Sequence, residues 1–369
     1  MKRHFSVHRT TALSHQKNSY RVYIITFFIL FFIFLTPKSL IDISVLLSTG
    51  RLIGTEDWVD LLLSQKEKLA SRVSSNERRV LIVSGSNGLF GVSARTISQE
   101  TGVEAINLSS HAGLGGDYIL GRAKKFIREG DIILLPLEYG FYSSLGISDD
   151  FKKYDVLGRF LISYDRSSLH KISAVSLLNF ALENAFPIRG KKARKTKKEY
   201  TSYFRGQLSK RDILERLKRQ SVNGRCYSGL TFNEYGDETC NIGKEDAPVN
   251  PTVIGTAMPP SIEDIDPGGY IERFVKFSKE RKAKIIPLYP VSTYTNDYQN
   301  LAFKKSAQKI KKFWEDQGIE FQDSLIDSLL APDLMYDTNY HPRDTGRQQR
   351  TKSIISLIKK QLRVVEKEP

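Results

Sequence analysis

Val80-Leu-Ile-Val-Ser-Gly-Ser-Asn-Gly-Leu-Phe-Gly91 is the stretch that decides the fold of this 369-residue chain. Val80–Val83 is apolar, mostly β-branched and followed closely by glycine, so it reads as a short strand buried on both faces. Ser86 stands where that strand runs into a glycine-rich turn. Working outward, Val92 to Glu100 fits a helix and Glu104 to Leu108 a second strand. A helix at about 116–129 ends at Gly130, a residue suited to stopping helices, and Asp131 to Leu137 supplies a third buried strand. This alternation predicts a parallel sheet with helices on both faces.

Regular alternation stops between about 140 and 265. That stretch holds a basic run, both cysteines and the start of the Pro/Gly-rich segment Pro248 to Gly269. It reads as a large insertion on the C-terminal side of the sheet, where substrate-determining elements are commonly placed. Alternation then resumes with a helix around Ile271–Arg281, a strand Ala283–Leu288 and a helix at about 299–317. A short strand near Ile319–Phe321 and a closing helix from about Thr345 to Leu362 complete the pattern. The expected organisation is one α/β domain over residues 79–369, a flavodoxin-like three-layer arrangement around a parallel sheet.

What precedes the domain bears on where it works. Residues 1–21 carry Lys2, Arg3, Arg9, Lys17 and Arg21 with no acid, and read as a cytoplasmic tail. Val22 to Pro37 has no charge and is rich in Ile, Phe and Leu. As a helix those residues reach about 24 Å against a bilayer core of about 30 Å, and Arg21 and Lys38 can snorkel across the difference. Residues 22–38 are therefore expected to be an uncleaved transmembrane helix. A cleaved signal peptide is the rival reading, but no clear Ala-x-Ala site follows the run. Residues 39–78 read as a linker or stalk, and everything beyond as exported, into a bacterial periplasm with the anchor in the inner membrane.

The formal charge of +15 is concentrated in two places. One is the tail. The other is Arg189 to Arg225, with fourteen Lys/Arg against Glu199, Asp212 and Glu215. The remainder is near neutral, which argues against a nucleic-acid partner. Within the basic segment, the run Arg189 to Lys198 is a solvated loop or a patch for anionic lipid or glycan. Cys226 and Cys240 both lie in the exported part, where an oxidising compartment permits a disulfide; two unpaired buried thiols are the alternative.

Gly85, Gly88 and Gly91 after a first strand have two meanings. In a dinucleotide-binding turn, glycines let amides approach a pyrophosphate. The motif resembles that of short-chain dehydrogenases, but none of the seventeen tyrosines has Lys four residues later. Alternatively, Ser86 is an exposed nucleophile whose neighbouring amides bind an oxyanion. Its partners would then be Asp337 and His341 in Asp337-Thr-Asn-Tyr-His341, ahead of the last helix. No His/Cys/Asp/Glu spacing suggests a metal site, and no cofactor is expected.

Three blocks together resemble the SGNH/GDSL hydrolase superfamily, especially its membrane-anchored, cell-envelope acyltransferase-like branch. Gly85-Ser86-Asn87 is similar to that branch's Gly-Gly-Ser-Asn variant of the Gly-Asp-Ser block. Asn107-Leu-Ser-Ser-His-Ala-Gly-Leu-Gly115 is similar to its glycine block, and Asp337 to His341 with Gly346, Arg350 and Thr351 to its C-terminal block. The resemblance covers residues 79–140 and 282–360. It implies Ser86 as nucleophile, His341 as base and Asp337 as the residue orienting the imidazole. The amides of Ser86 and of Gly113 or Gly115 would bind the oxyanion. The family's usual Asp-x-x-His is here Asp-x-x-x-His, and Pro136-Leu-Glu138-Tyr139 stands where an Asn donor usually lies. Asn87 or Asn107 would then supply the missing donor, with His111 and Glu138 bordering the cleft. The implied activity is an esterase or O-acyl (most often acetyl) transferase on a cell-envelope or exported polysaccharide, with a possible acyl-donor protein as partner. A non-catalytic glycan-binding or assembly component of an export system is the second reading.

Overall fold

A computed structural model describes residues 20, 22–30, 57–72, 77–143, 155–172, 210–222, 226–253, 255, 257, 265–266 and 268–365. In chain order, helix α1 (Asp57–Arg72) precedes strand β1 (Arg79–Ile82), helices α2 (Ser86–Gly91) and α3 (Ala94–Thr101), and strand β2 (Glu104–Asn107). Helix α4 (Gly116–Ala123), strand β3 (Ile132–Pro136) and helices α5 (Asp155–Tyr164) and α6 (Lys210–Val222) follow. The chain then forms α7 (Tyr270–Glu280), β4 (Lys284–Leu288), β5 (Ser292–Thr293), α8 (Leu301–Asp316), β6 (Leu329–Leu330) and α9 (Asp344–Val365).

Four strands pair in the order β2-β1-β3-β4, all parallel, with Val80 beside Ala105 on one side and Ile132 on the other. Side chains alternate across a strand, so each strand feeds two cores. Leu81, Ile106, Ile133 and Leu135 pack with residues of α1, α4, α7 and α8, including Leu63, Leu120, Phe274 and Trp314. Val80, Ile82, Ala105, Leu134 and Ile286 pack on the other face with Ile97 of α3 and Ile354 and Ile358 of α9. The result is a three-layer α/β arrangement compatible with a flavodoxin-like fold. In this order the chain leaves β1 toward β2 and returns to β3 on the other side. The carboxyl ends of β1 and β3 therefore flank the switch point where such sheets hold their ligands.

The structure departs from expectation in four places. Residues 57–72, assigned to the stalk, form α1, whose Val59, Leu63 and Ala70 are in the main core. No ladder forms at Ile319–Phe321, because Phe321 is buried edge-to-face on Tyr289, at 4.7 Å between ring centroids, and its apolar signal is side-chain packing. A separate two-stranded parallel pair, β5 with β6, forms instead. The helix expected from Val92 is α3, but an unexpected helix, α2, precedes it, beginning directly at Ser86, and the chain is re-capped at Ser93. Finally, residues 226–253 of the insertion pack onto the α/β body: Asp237 accepts from the amides of Ala94 and Arg95 at 2.8 and 3.0 Å and so caps α3.

Residues 22–30 are helical. Among the described residues no helix is long and apolar enough to cross a membrane. Residues 31–38 of the expected anchor, and the Arg189 to Lys198 run, lie outside the described residues.

Candidate functional site

Residues 336–341 close a small loop ahead of α9. The Tyr336 amide donates to the His341 carbonyl at 2.8 Å, and Met335 and Pro342 form an antiparallel bridge. Closing the loop brings together side chains four residues apart: Asp337 Oδ1 lies 2.8 Å from His341 Nδ1. The longer Asp-x-x-x-His spacing thus still yields an Asp–His pair. A third side chain reaches it from the insertion. Tyr227 donates its hydroxyl to Asp337 Oδ2 at 2.7 Å, and its oxygen lies 3.1 Å from His341 Nδ1.

Burial pushes the Asp337 pKa up, but the hydrogen bonds and charge of His341 and the Tyr227 hydroxyl outweigh it and hold the carboxylate below its ordinary value. Burial, and then the Asp337 charge, push the Tyr227 phenol far above its ordinary range, so it remains a protonated donor. With Nδ1 against a carboxylate, its proton is assigned there by the hydrogen bonding, which leaves Nε2 as the basic nitrogen.

The imidazole stacks on Phe90, with 4.4 Å between centroids and 15° between planes. Phe90 lies four residues after Ser86 in α2, so the two share a helix face. Asn87 ties the same helix to the histidine loop. Its Nδ2 donates to the carbonyls of Val291 at 2.7 Å and Tyr340 at 3.2 Å, while its Oδ1 accepts from the Val291 amide. The fold therefore carries Ser86 and the Asp337–His341 pair on directly packed segments. Ser86 is the one residue of α2 that is not buried.

Beneath this turn lies Glu138, buried, from the end of β3. Its Oε1 accepts from the Asn87 amide at 2.8 Å, and its Oε2 from the Gly85 amide at 3.1 Å and the Ser84 hydroxyl at 2.9 Å. Burial raises its pKa against the pull of these donors. A Cβ at position 85 would lie 2.4 Å from Glu138 Oε1 and 2.8 Å from Ala112 Cα, which explains the glycine. The amides that a pyrophosphate would need thus face a buried carboxyl group. That removes the physical basis of the dinucleotide reading.

The remaining candidates are engaged in the scaffold. Asn107 is buried, and its Nδ2 donates to the carbonyls of Gly88 and Val92 and to Asp237 Oδ1. The Gly113 amide donates to His111 Nδ1 at 2.9 Å, and the Gly115 amide to the Ala112 carbonyl at 3.0 Å. His111 sets its ring edge-on to Trp58, 5.3 Å between centroids.

Three side chains at the site were not anticipated: Trp58, Phe90 and Tyr227. Trp58 also meets the Tyr227 ring at 5.3 Å, and Phe90 meets it at 5.8 Å, so an aromatic wall runs from His111 to His341. The spacing of Phe90 from Ser86 was the one available signal, and it required knowing that the helix starts at Ser86. Cys226 and Cys240 form a disulfide, with Cα atoms 5.2 Å apart, immediately beside Tyr227. Among the described residues, no group of three or more His, Cys, Asp or Glu could hold a metal ion. No protein-family model matches the chain, and no curated protein matches it in sequence.

Proposed function

We propose that the chain is an SGNH-type serine acyl transferase or esterase, anchored in the inner membrane of a bacterium by residues 22–38 and facing the periplasm. One observation carries this reading: the Asp337–His341 pair stacks on the helix that Ser86 opens, at the switch point of a parallel sheet. In the proposed reaction Ser86 Oγ attacks the carbonyl of an acyl donor and gives its proton to His341 Nε2. The leaving group takes that proton as the acyl-enzyme forms. A sugar hydroxyl or water then attacks the acyl carbon and loses its proton to Nε2. That nitrogen passes it to Ser86 Oγ as the ester bond to serine breaks and the acyl group leaves on the acceptor. Asp337 holds the imidazole and balances its transient positive charge. The substrate class, a cell-envelope or exported polysaccharide accepting or losing an O-acyl group, rests on the sequence resemblance and the anchor.

A fluorophosphonate tests the chemistry directly. The full-length protein is expected to label at Ser86, with Ser86→Ala and His341→Ala each lowering the rate by at least about a thousandfold. Labelling that survives Ser86→Ala would sink the assignment.

A second reading, a non-catalytic glycan-binding or export-assembly component, is favoured by one specific feature. Glu138 occupies the place of an Asn donor, and the amides of Gly113 and Gly115 are already bonded within their loop. Wild-type protein that resists every phosphonate yet binds the polysaccharide would favour it.

A further inference from the structure

The disulfide loop delivers Tyr227 to the Asp337–His341 pair, and its backbone is held in an unusual state to do so. We propose that Tyr227 is a positioning residue of the site, fixing the imidazole through both Asp337 and Nδ1, and that the Cys226–Cys240 disulfide keeps it there. This rests on the reading of Ser86, His341 and Asp337 given above.

The backbone supplies the first argument. Tyr227 has φ +63°, in the left-handed region, where a bulky L-residue is disfavoured because its Cβ crowds the following carbonyl oxygen. Such a conformation persists only where its surroundings over-determine it, and these do. Cys226 immediately before it is disulfide-bonded. Its ring is enclosed by those of Trp58 and Phe90. Two residues on, Gly229 also has positive φ, and a Cβ there would lie 2.5 Å from the Trp58 carbonyl.

Proton counting supplies the second. The phenol has one proton, and it goes to Asp337 Oδ2 at 2.7 Å. The phenol oxygen then faces Nδ1 as an acceptor at 3.1 Å. The Nδ1–H is shared between Asp337 Oδ1 and Tyr227 Oη, and the carboxylate is gripped on both oxygens. Neither Asp337 nor the imidazole can turn without breaking two contacts. Filling space would need only the ring. Holding the tautomer needs the hydroxyl.

Tyr227→Phe separates the two roles. In full-length protein labelled with 15N-histidine, the His341 signals are identified by their loss in His341→Gln. The wild type is expected to show a protonated Nδ1 and a bare Nε2. Tyr227→Phe is expected to mix the tautomers and slow phosphonate labelling 10- to 100-fold, about the cost of a misplaced catalytic group, with the unfolding midpoint nearly unchanged. The double variant Cys226→Ser, Cys240→Ser should give the same spectral change with the tyrosine present. Unchanged His341 signals in Tyr227→Phe would overturn the proposal. A tautomer shift in a protein that no phosphonate labels would uphold the positioning role and refute the acyl-transfer reading instead.

Discussion

The two halves of the site are built by different means. The Ser86 half hangs on the sheet: β1 aims the turn, and Glu138 at the end of β3 grips the amides of Gly85 and Asn87. The His341 half hangs on loops, held by the disulfide, Tyr227 and a buried arginine just ahead of the C-terminal helix. Arg343 donates to the Met335 carbonyl at 2.8 Å and the Ala247 carbonyl at 2.6 Å. One half is fixed by hydrogen bonds between neighbouring strands' ends, the other by contacts across roughly a hundred residues of sequence. The first should therefore fail only with the fold, while the second can loosen alone.

The sharpest way to break that contrast is Glu138→Ala. It strands two backbone amides in a buried site, at about 1–3 kcal/mol for each, while the Ser84 hydroxyl keeps the Pro136 carbonyl. A loss of about 4 kcal/mol is expected in urea unfolding; a loss below about 1 kcal/mol would show that the turn does not depend on the carboxyl group. Reduction of the disulfide probes the other half. Closing a loop with a sequence separation of 14 is worth about 3 kcal/mol in the chain-entropy view. Reduced protein should lose phosphonate reactivity at temperatures where its far-UV circular dichroism is still native. Loss of both together would mean that the loop is no less integral than the sheet.

Lys66 gives the smallest and most graded effect, and it joins the halves. Its Nζ donates to the carbonyls of Asn107 at 2.8 Å and Ser109 at 2.5 Å, beyond β2. Burial lowers its pKa from 10.5 to about 7, against the opposing pull of Asp237 and Glu238 in the disulfide loop. Between those two values the unfolded chain holds a proton that the folded chain lacks. Stability attributable to Lys66 is therefore lowest below pH 7 and rises toward pH 10.5, by at most about 1.4 kcal/mol per pH unit. Comparing denaturation of wild type and Lys66→Met across that range isolates the slope; identical slopes would show that Lys66 titrates normally.

The same contrast explains what could be read from sequence. β1 to β4 were legible because a parallel strand covered on both faces leaves a continuous apolar run, as in Ile132–Leu135. Ser86, Asp337 and His341 stood out by residue type and position in that pattern. The second cap on α3, added to the local one at Ser93, did not, because Asp237 arrives from 143 residues beyond Ala94. Nor did Tyr227, whose role depends on a left-handed backbone and a covalent cross-link, neither of which leaves a periodic trace. Asn107 misled for the opposite reason: an amide beside the glycine block looks like a free donor until its three acceptors are seen.

Helix α1 also fixes a direction of travel. Near its start, Trp58 lies against His111 and Tyr227 at the site; near its end, the Ala70 carbonyl accepts from Arg79 at the opposite end of the sheet. The helix thus runs counter to the strands, and its first residue, Asp57, lies at the end of the sheet that carries the site. Under the proposed anchoring, residues 22–38 would hold the domain by the end that carries Ser86 and His341. With eighteen residues between Lys38 and Asp57, a taut leash could stretch no further than about 65 Å. In that reading the length of the leash bounds the height at which the site works, and with it which molecules come within reach.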